Sequence, residues 1–179
     1  MDDKQRYNWI IRGMLQEIIE LIESDQKPIL IPEINNEPAP ENSECHDFPE
    51  LFIQIEGITE FKLPGNCYEL KPSSILLLPP GTPHLEETIG DSDHFMHMVA
   101  IFYPNEVEVH IATTNSDRKP TVVYEEKFRP QTPDLINRVI EQYVRHERTL
   151  GKYNYVFSKG LQLTLFGAIL EHIRYGRDK

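Results

Sequence analysis

Cysteine, basic charge and long apolar runs are all scarce in this chain. Its two cysteines, Cys45 and Cys67, lie far apart with no secretory signal ahead of them, so no disulfide framework is expected and a reducing cytoplasm is the expected compartment. Both thiols are expected to be small buried apolar groups, because no basic cluster near them would lower a thiol pKa. Only 18 Lys and Arg stand against 29 Asp and Glu, a formal net charge of -11. Phosphate binding needs a basic surface, so this balance argues against direct nucleic-acid contact by the chain. No stretch of about eighteen apolar residues occurs, which excludes a membrane-spanning helix, and a soluble protein is expected.

The 179 residues suit a single domain with a real core, since domains run to roughly 100 to 200 residues. From Gln5 to Glu23, Ile10, Ile11, Met14, Leu15, Ile18, Ile19 and Ile22 recur at helical spacing with Arg12, Gln16, Glu17, Glu20 and Glu23 between them. That periodicity predicts an amphipathic helix packed on the domain, with a dimer contact as its alternative role. Pro28, Pro32, Pro38, Pro40 and Pro49 exclude helix from Lys27 to Pro49 and leave room for one short strand at Ile29, Leu30 and Ile31.

Short β-type runs follow at Leu51–Glu56, Ile58–Phe61, Tyr68–Leu70, Ile75–Leu78, His94–Tyr103, Val107–Ala112 and Thr121–Phe128. Gly57, Pro64-Gly65-Asn66, Pro79 to Pro83, Gly90-Asp91 and Pro104-Asn105 separate them at the close intervals of an antiparallel sandwich or barrel. The polar stretch from Thr113 to Lys119 is expected to be a solvated loop. After Pro130 the pattern turns helical. Thr132 caps a predicted helix with Pro133 in its first turn and Leu135, Ile136, Val139, Ile140, Tyr143 and Val144 as its apolar stripe, up to Gly151. A second helix is predicted from Tyr155 to Tyr175, ended by Gly176. The expected organisation is thus an N-terminal helix over 1–26, a barrel over 27–130 and a C-terminal helix pair over 131–179.

Two spaced sets of ligand-type residues carry the chemistry. Glu44-Cys45-His46 is followed by Glu50 and Gly57, and Pro79-Pro80-Gly81-Thr82-Pro83 leads to His84. Alternating strand residues share a face, so Glu44, His46 and Glu50 are expected on one side and Cys45 on the other. The proline-bracketed turn, with Gly81 for tightness, is suited to hold His84 rigidly at a barrel mouth. His46, Glu50 and His84 then make two imidazoles and a carboxylate, a set that suits a divalent transition metal such as Fe, Mn, Ni or Zn, with Glu44 as a fourth candidate. The same four residues are the expected ligand-binding lining. His94, His97 and His110 are expected to be packed or exposed rather than ligating. Among the aromatics, Phe52, Phe61, Tyr68, Phe95 and Tyr103 are expected mostly in the core.

These motifs resemble those of the cupin family, a small antiparallel barrel whose first motif gives two histidines and a glutamate and whose second gives a further histidine. His46 falls at the second histidine, Glu50 at the glutamate, Gly57 at the closing glycine, and Pro79, Gly81 and His84 match the second motif. Glu44 stands where the first histidine would be, Ser73 at the opening glycine of the second motif and Thr88 at its final asparagine. The wording from Glu44 to His84 is similar to the effector domain of arabinose-regulator (AraC) type transcription factors, over roughly Ile29 to Tyr175 as a one-domain span. The resemblance implies a mainly β fold, a cupin-type double-stranded β-helix (jelly-roll barrel) with an N-terminal amphipathic helix and a C-terminal helix pair that dimerises.

It also implies a sensing role: a small-molecule effector bound in the barrel shifts the helix pair of a homodimer. In that family a DNA-reading module follows, and only six residues stand after Ile173, so the module is expected to be missing from this chain. No catalytic residue is assigned. The competing expectation is a stand-alone metal-dependent cupin enzyme, a dioxygenase, isomerase or decarboxylase, with His46, Glu50, His84 and Glu44 on the metal.

Overall fold

The computed structural model describes residues 3–24, 29–33, 35–89, 94–114, 119–130, 133–149 and 155–175. It is mainly β, with antiparallel strand pairing and three helices. Two compact units emerge. One comprises 29–101 and 108–126, and the other gathers the N-terminal helix, 102–107 and the chain from Lys127 onward.

The first unit is built from two sheets. The strands are β1 (Glu50–Glu56), β2 (Thr59–Leu63), β3 (Asn66–Leu70), β4 (Ile75–Leu78), β5 (Leu85–Thr88), β6 (Met96–Phe102), β7 (Val107–Thr114) and β8 (Pro120–Phe128). The larger sheet has the order β4-β1-β6-β7-β8 and the smaller β3-β2-β5. Non-sequential neighbours on both sides of β1 bring distant segments together. Glu50 lies opposite both Leu78 and Ile101, and Phe52 opposite Val99.

Alternation along β1 puts Glu50, Phe52 and Gln54 on one face. Phe52 meets Phe61 of the smaller sheet edge-on, with ring centroids 4.8 Å apart, so an aromatic layer joins the two sheets. Gln54 secures the β1–β2 turn: its amide donates to the carbonyl oxygens of Glu56 and Gly57, and its own oxygen accepts from the Thr59 hydroxyl. Gly57 turns that corner at a φ of 66°, where an added Cβ would sit 2.2 Å from the His94 carbonyl oxygen.

Seven of the predicted strands are present, with bounds shifted by one or two residues in most of them. β5 was not expected, because Glu86-Glu87 offers no apolar alternation. No described residue from 29 to 49 is helical, as the prolines predict, yet the expected strand at Ile29–Ile31 shrinks to one parallel bridge between Leu30 and Leu76. Thr113 and Thr114 belong to β7, while 115–118 lie outside the described residues.

The second unit contains α1 (Asp3–Glu23), α2 (Pro133–Thr149) and α3 (Tyr155–Tyr175), with α3 packed against both of the others. Ile11, Leu15, Ile18 and Ile22 form the buried stripe of α1, and Ile136, Val139, Ile140 and Tyr143 that of α2. Leu165, Phe166 and Ile169 answer from α3. Leu135, expected in the α2 stripe, is instead exposed. Inside this core the Gln162 amide donates to the Tyr143 hydroxyl at 2.8 Å. The expected cap at Thr132, the turn at Gly90-Asp91 and the terminating Gly151 and Gly176 lie outside the described residues.

Candidate functional site

The site grows from a backbone staple between two loops. Glu44 and His84 form an isolated antiparallel bridge, exchanging hydrogen bonds of 2.7 and 2.9 Å, and the Gly81 amide donates to the His46 carbonyl oxygen at 2.8 Å. Thr82 tightens the turn by donating from its hydroxyl to the Pro79 carbonyl oxygen at 2.7 Å. Gly81 supplies the positive φ of 72° that this turn needs. The segment with His46 is thereby laid beside the turn with His84, and Glu50 comes in from the start of β1.

His46, Glu50 and His84 each present one ligand atom, all within 4.8 Å of one another. His46 Nε2 lies 3.6 Å from Glu50 Oε1, and His84 Nε2 lies 3.7 Å from Glu50 Oε2. These separations exceed a hydrogen bond. His84 Nδ1 donates to the Thr82 carbonyl oxygen at 3.1 Å, which leaves the lone pair on Nε2 facing the carboxylate. A carbonyl that accepts from one ring nitrogen is the usual way to orient an imidazole toward a metal with the other. Two imidazole nitrogens and one carboxylate are thus brought together as expected.

Glu44 stands at the rim, 3.7 Å from His46 Nε2 and 76% exposed, outside the three-residue set. Strand alternation was the expected reason for Glu44, His46 and Glu50 to share a side, but residues 45–49 are irregular, so the staple makes the three converge instead. The cysteines require a correction. Cys45 and Cys67 are both exposed rather than buried, Cys45 in that irregular stretch and Cys67 on β3, whose alternate residues face outward. Desolvation and then the Glu60 carboxylate push the Cys67 thiol up to about 11, which disfavours its thiolate.

Sequence reasoning missed Glu86 and Glu108, and it expected His97 and His110 only as packed or exposed residues, as the packed His97 is. Glu86 on β5, His97 on β6, and Glu108 and His110 on β7 extend the polar lining inward. Glu86 Oε1 lies 3.9 Å from His84 Nε2, and Glu86 Oε2 lies 3.3 Å from His97 Nε2. His110 and Glu108 pair at 3.2 Å. His97 is fully buried, stacked on Phe95 at 4.8 Å and edge-on to Phe52 at 5.7 Å. The available signal was period two: Glu86 follows His84 by two residues, and His110 follows Glu108 by two.

Burial governs the charge states. Glu50 is pushed up to about 8 by desolvation and then by the like charges of Glu44 and Glu108. Glu86 is raised to about 8 by desolvation and then by Glu50 and Glu44. Desolvation lowers His84 and His110 and, with His110 adding to it, brings His97 down to about 3. Neutral imidazoles therefore face carboxyl groups that gain from any cation placed between them.

Beside the triad opens a cleft of about 610 Å³ whose lining includes Glu41, Glu44, His84, Glu86, Thr88 and Lys119. That volume falls in the range of small-molecule sites, roughly 300 to 1,000 Å³. No helix among the described residues is long and apolar enough to cross a membrane. A comparison with curated proteins gives no match. Residues 39–151, more than half of the chain and including the whole triad, match the AraC-like ligand binding domain, a cupin-type domain, and the chain belongs to that family.

Proposed function

We propose that this chain is the effector-sensing part of an AraC-type transcription regulator, in which a small molecule binds in the cleft beside His84 with a divalent transition metal held by His46, Glu50 and His84. The convergence of those three ligand atoms at the edge of a 610 Å³ cleft carries the reading. Glu44 is the outer carboxylate at the cleft mouth and reaches the ion or the effector from the solvent side. An ion with open positions would take oxygen or nitrogen atoms of the effector directly.

Support for the regulatory role comes from the family and from a three-helix unit whose segments are of the kind that dimerise in such regulators. A jelly-roll path for the strands, a homodimer through the helices and a cytoplasmic setting complete the proposal. DNA contact belongs to a module other than this domain, given its net charge of -11.

The test is a thermal-shift screen of small metabolites with and without Mn2+, Fe2+, Ni2+ and Zn2+, together with sedimentation to report self-association. Trp9, the single tryptophan and 70% exposed on α1, gives a fluorescence reporter for the helical unit. A strictly monomeric protein that responds to no metal and no metabolite rules the reading out. The second reading is a metal-dependent cupin enzyme, favoured by the open cleft beside a two-histidine, one-carboxylate set. Turnover of an oxidisable or isomerisable ligand by the metal-loaded protein would decide for it.

A further inference from the structure

We propose that Glu86 supplies a fourth protein ligand to the ion held by His46, Glu50 and His84, and that His97 is the residue that positions it. This rests on the metal reading above and adds to it a carboxylate outside both sequence motifs.

Three lone-pair donors face one another here. His84 spends its Nδ1 proton on Thr82, so Nε2 presents a lone pair, with Glu50 Oε2 at 3.7 Å and Glu86 Oε1 at 3.9 Å. Among the described residues the ion-pairing partners of Glu50 and Glu86 are histidines, and the lysine that lines the same cleft, Lys119, is not among those partners. Lone pairs gathered in a nearly dry space repel one another unless a proton or a metal cation lies among them, and a divalent ion satisfies all three at once. Glu86 is as close to the shared nitrogen as Glu50 is, within 0.2 Å by the difference of those two distances.

Its support is also of the right kind. The Glu86 side chain is 12% exposed on a paired strand, with Phe61 opposite it in the sheet register, whereas Glu44 is 76% exposed on an isolated bridge. Behind Glu86 stands His97, 3.3 Å from Oε2 and fixed by its stack on Phe95. A carboxylate that turns one oxygen to a metal is commonly held in place by a neighbour on its other oxygen, here the imidazole. Glu86 Oε2 and His97 Nδ1 are buried without a hydrogen-bond partner. The orphaned Oε2 lies on the His97 side of the carboxylate, with that imidazole as its close neighbour, while Oε1 is the oxygen turned to His84.

The experiment is calorimetric titration of the full chain with Co2+ at one pH, joined to the visible spectrum of the Co2+-loaded protein. Glu86→Gln and Glu86→Asp are compared with Glu69→Gln, a surface carboxylate on β3 that also removes one charge. The expected result is an affinity loss of at least about tenfold for both Glu86 variants with a changed Co2+ spectrum, and a change under about threefold for Glu69→Gln. His97→Phe is expected to weaken binding and alter the spectrum, and His97→Gln, which restores a donor, to recover part of both. Circular dichroism identifies a variant that fails to fold, and the second Glu86 variant then decides. Wild-type protein that takes up no Co2+ overturns the metal reading and this one together. Wild-type protein that binds while Glu86→Gln and Glu86→Asp bind equally well, with unchanged spectra, overturns this inference alone.

Discussion

His84 donates from Nδ1 to the carbonyl oxygen of Thr82, 3.1 Å away within the same turn. That one bond selects the tautomer, because a carbonyl oxygen only accepts. It also directs Nε2 toward Glu50, so a backbone feature of the Pro79–Pro83 turn sets the donor character of the site. Replacing His84 by Ala should raise the dissociation constant for Co2+ or Mn2+ at least about a hundredfold, since a first ligand is lost from a three-residue set. Metal analysis after dialysis and calorimetric titration measure this. For the wild type, metal at about a hundred times its dissociation constant should add about 2.7 kcal/mol of stability, visible as a higher Tm. Equal metal content in wild type and His84→Ala would remove the triad from consideration.

The metal-free protein should be most stable in mildly acidic solution. Glu50 and Glu86 are raised from 4.5 to about 8, so the folded state holds more carboxyl protons than the unfolded one across that window. Their contribution is full below about 4.5 and is lost as pH rises toward 8. His97, lowered from 6.5 to about 3, and His84 and His110, lowered in the same direction, act oppositely: their contribution is present above 6.5 and lost as pH falls. The two sets offset each other between 4.5 and 6.5, leaving only the carboxyls above that range and only the histidines below it. Calorimetry of chelator-treated protein should therefore show the highest Tm between pH 4.5 and 6.5 and a decline by about pH 8.5. Glu50→Gln should flatten the alkaline decline. A Tm that climbs steadily to pH 8.5 would contradict the buried state of these carboxyls.

Two turn residues should respond with opposite signs. Ser73 holds a φ of 66°, the left-handed region that costs a side-chain-bearing residue about 1 to 2 kcal/mol. It stands where the cupin motif has glycine, and the turn is fixed by its amide donating to the Gln54 carbonyl oxygen at 2.8 Å. Ser73→Gly should raise stability by about 0.5 to 1 kcal/mol, the relief of strain exceeding the added freedom of the unfolded chain. Gly57→Ala should lower it by more than about 2 kcal/mol, because the new Cβ meets the His94 carbonyl oxygen at 2.2 Å and φ is 66°. Urea unfolding of both variants measures the pair, and a destabilised Ser73→Gly would show that the serine side chain earns its place in the turn.

How much of this was legible in the sequence depended on whether the signal was local. The three helices and seven strands announced themselves through local pattern, and most bury a face of their own, as Ile11, Leu15, Ile18 and Ile22 do, although β8 buries only Phe128. β5 did not, since Glu86-Glu87 is held in a strand by its pairing with β2 rather than by propensity. His46, Glu50 and His84 were readable from motif spacing, although their meeting depends on the Glu44–His84 bridge and not on strand alternation. Glu86 and His97 were hidden for a topological reason. They lie on β5 and β6 and approach each other only because β2 joins β5 to the smaller sheet while β1 draws β6 into the larger one. The cysteines show the reverse failure, a compositional expectation of burial undone by an irregular loop and an outward-facing strand position.

Within the helical unit, Tyr143 and Gln162 test whether a buried polar contact specifies how α2 and α3 pack. The Gln162 amide donates to the Tyr143 hydroxyl at 2.8 Å, and the two residues are 6% and 2% exposed. Removing the hydroxyl with Tyr143→Phe strips a buried donor of this acceptor, which costs about 1 to 3 kcal/mol, more than the bond itself contributes. Replacing both partners with apolar groups removes the donor together with its acceptor. Tyr143→Phe combined with Gln162→Leu should therefore recover most of the loss, and the coupling in a double-mutant cycle should exceed about 0.5 kcal/mol. Urea unfolding of the four proteins measures it. In the proposed regulator this helix pair carries the effector's signal, so the apolar double variant, though stable, should show weaker self-association in sedimentation if the polar contact fixes the register of the two helices. Unchanged self-association with full coupling would confine the pair to stability.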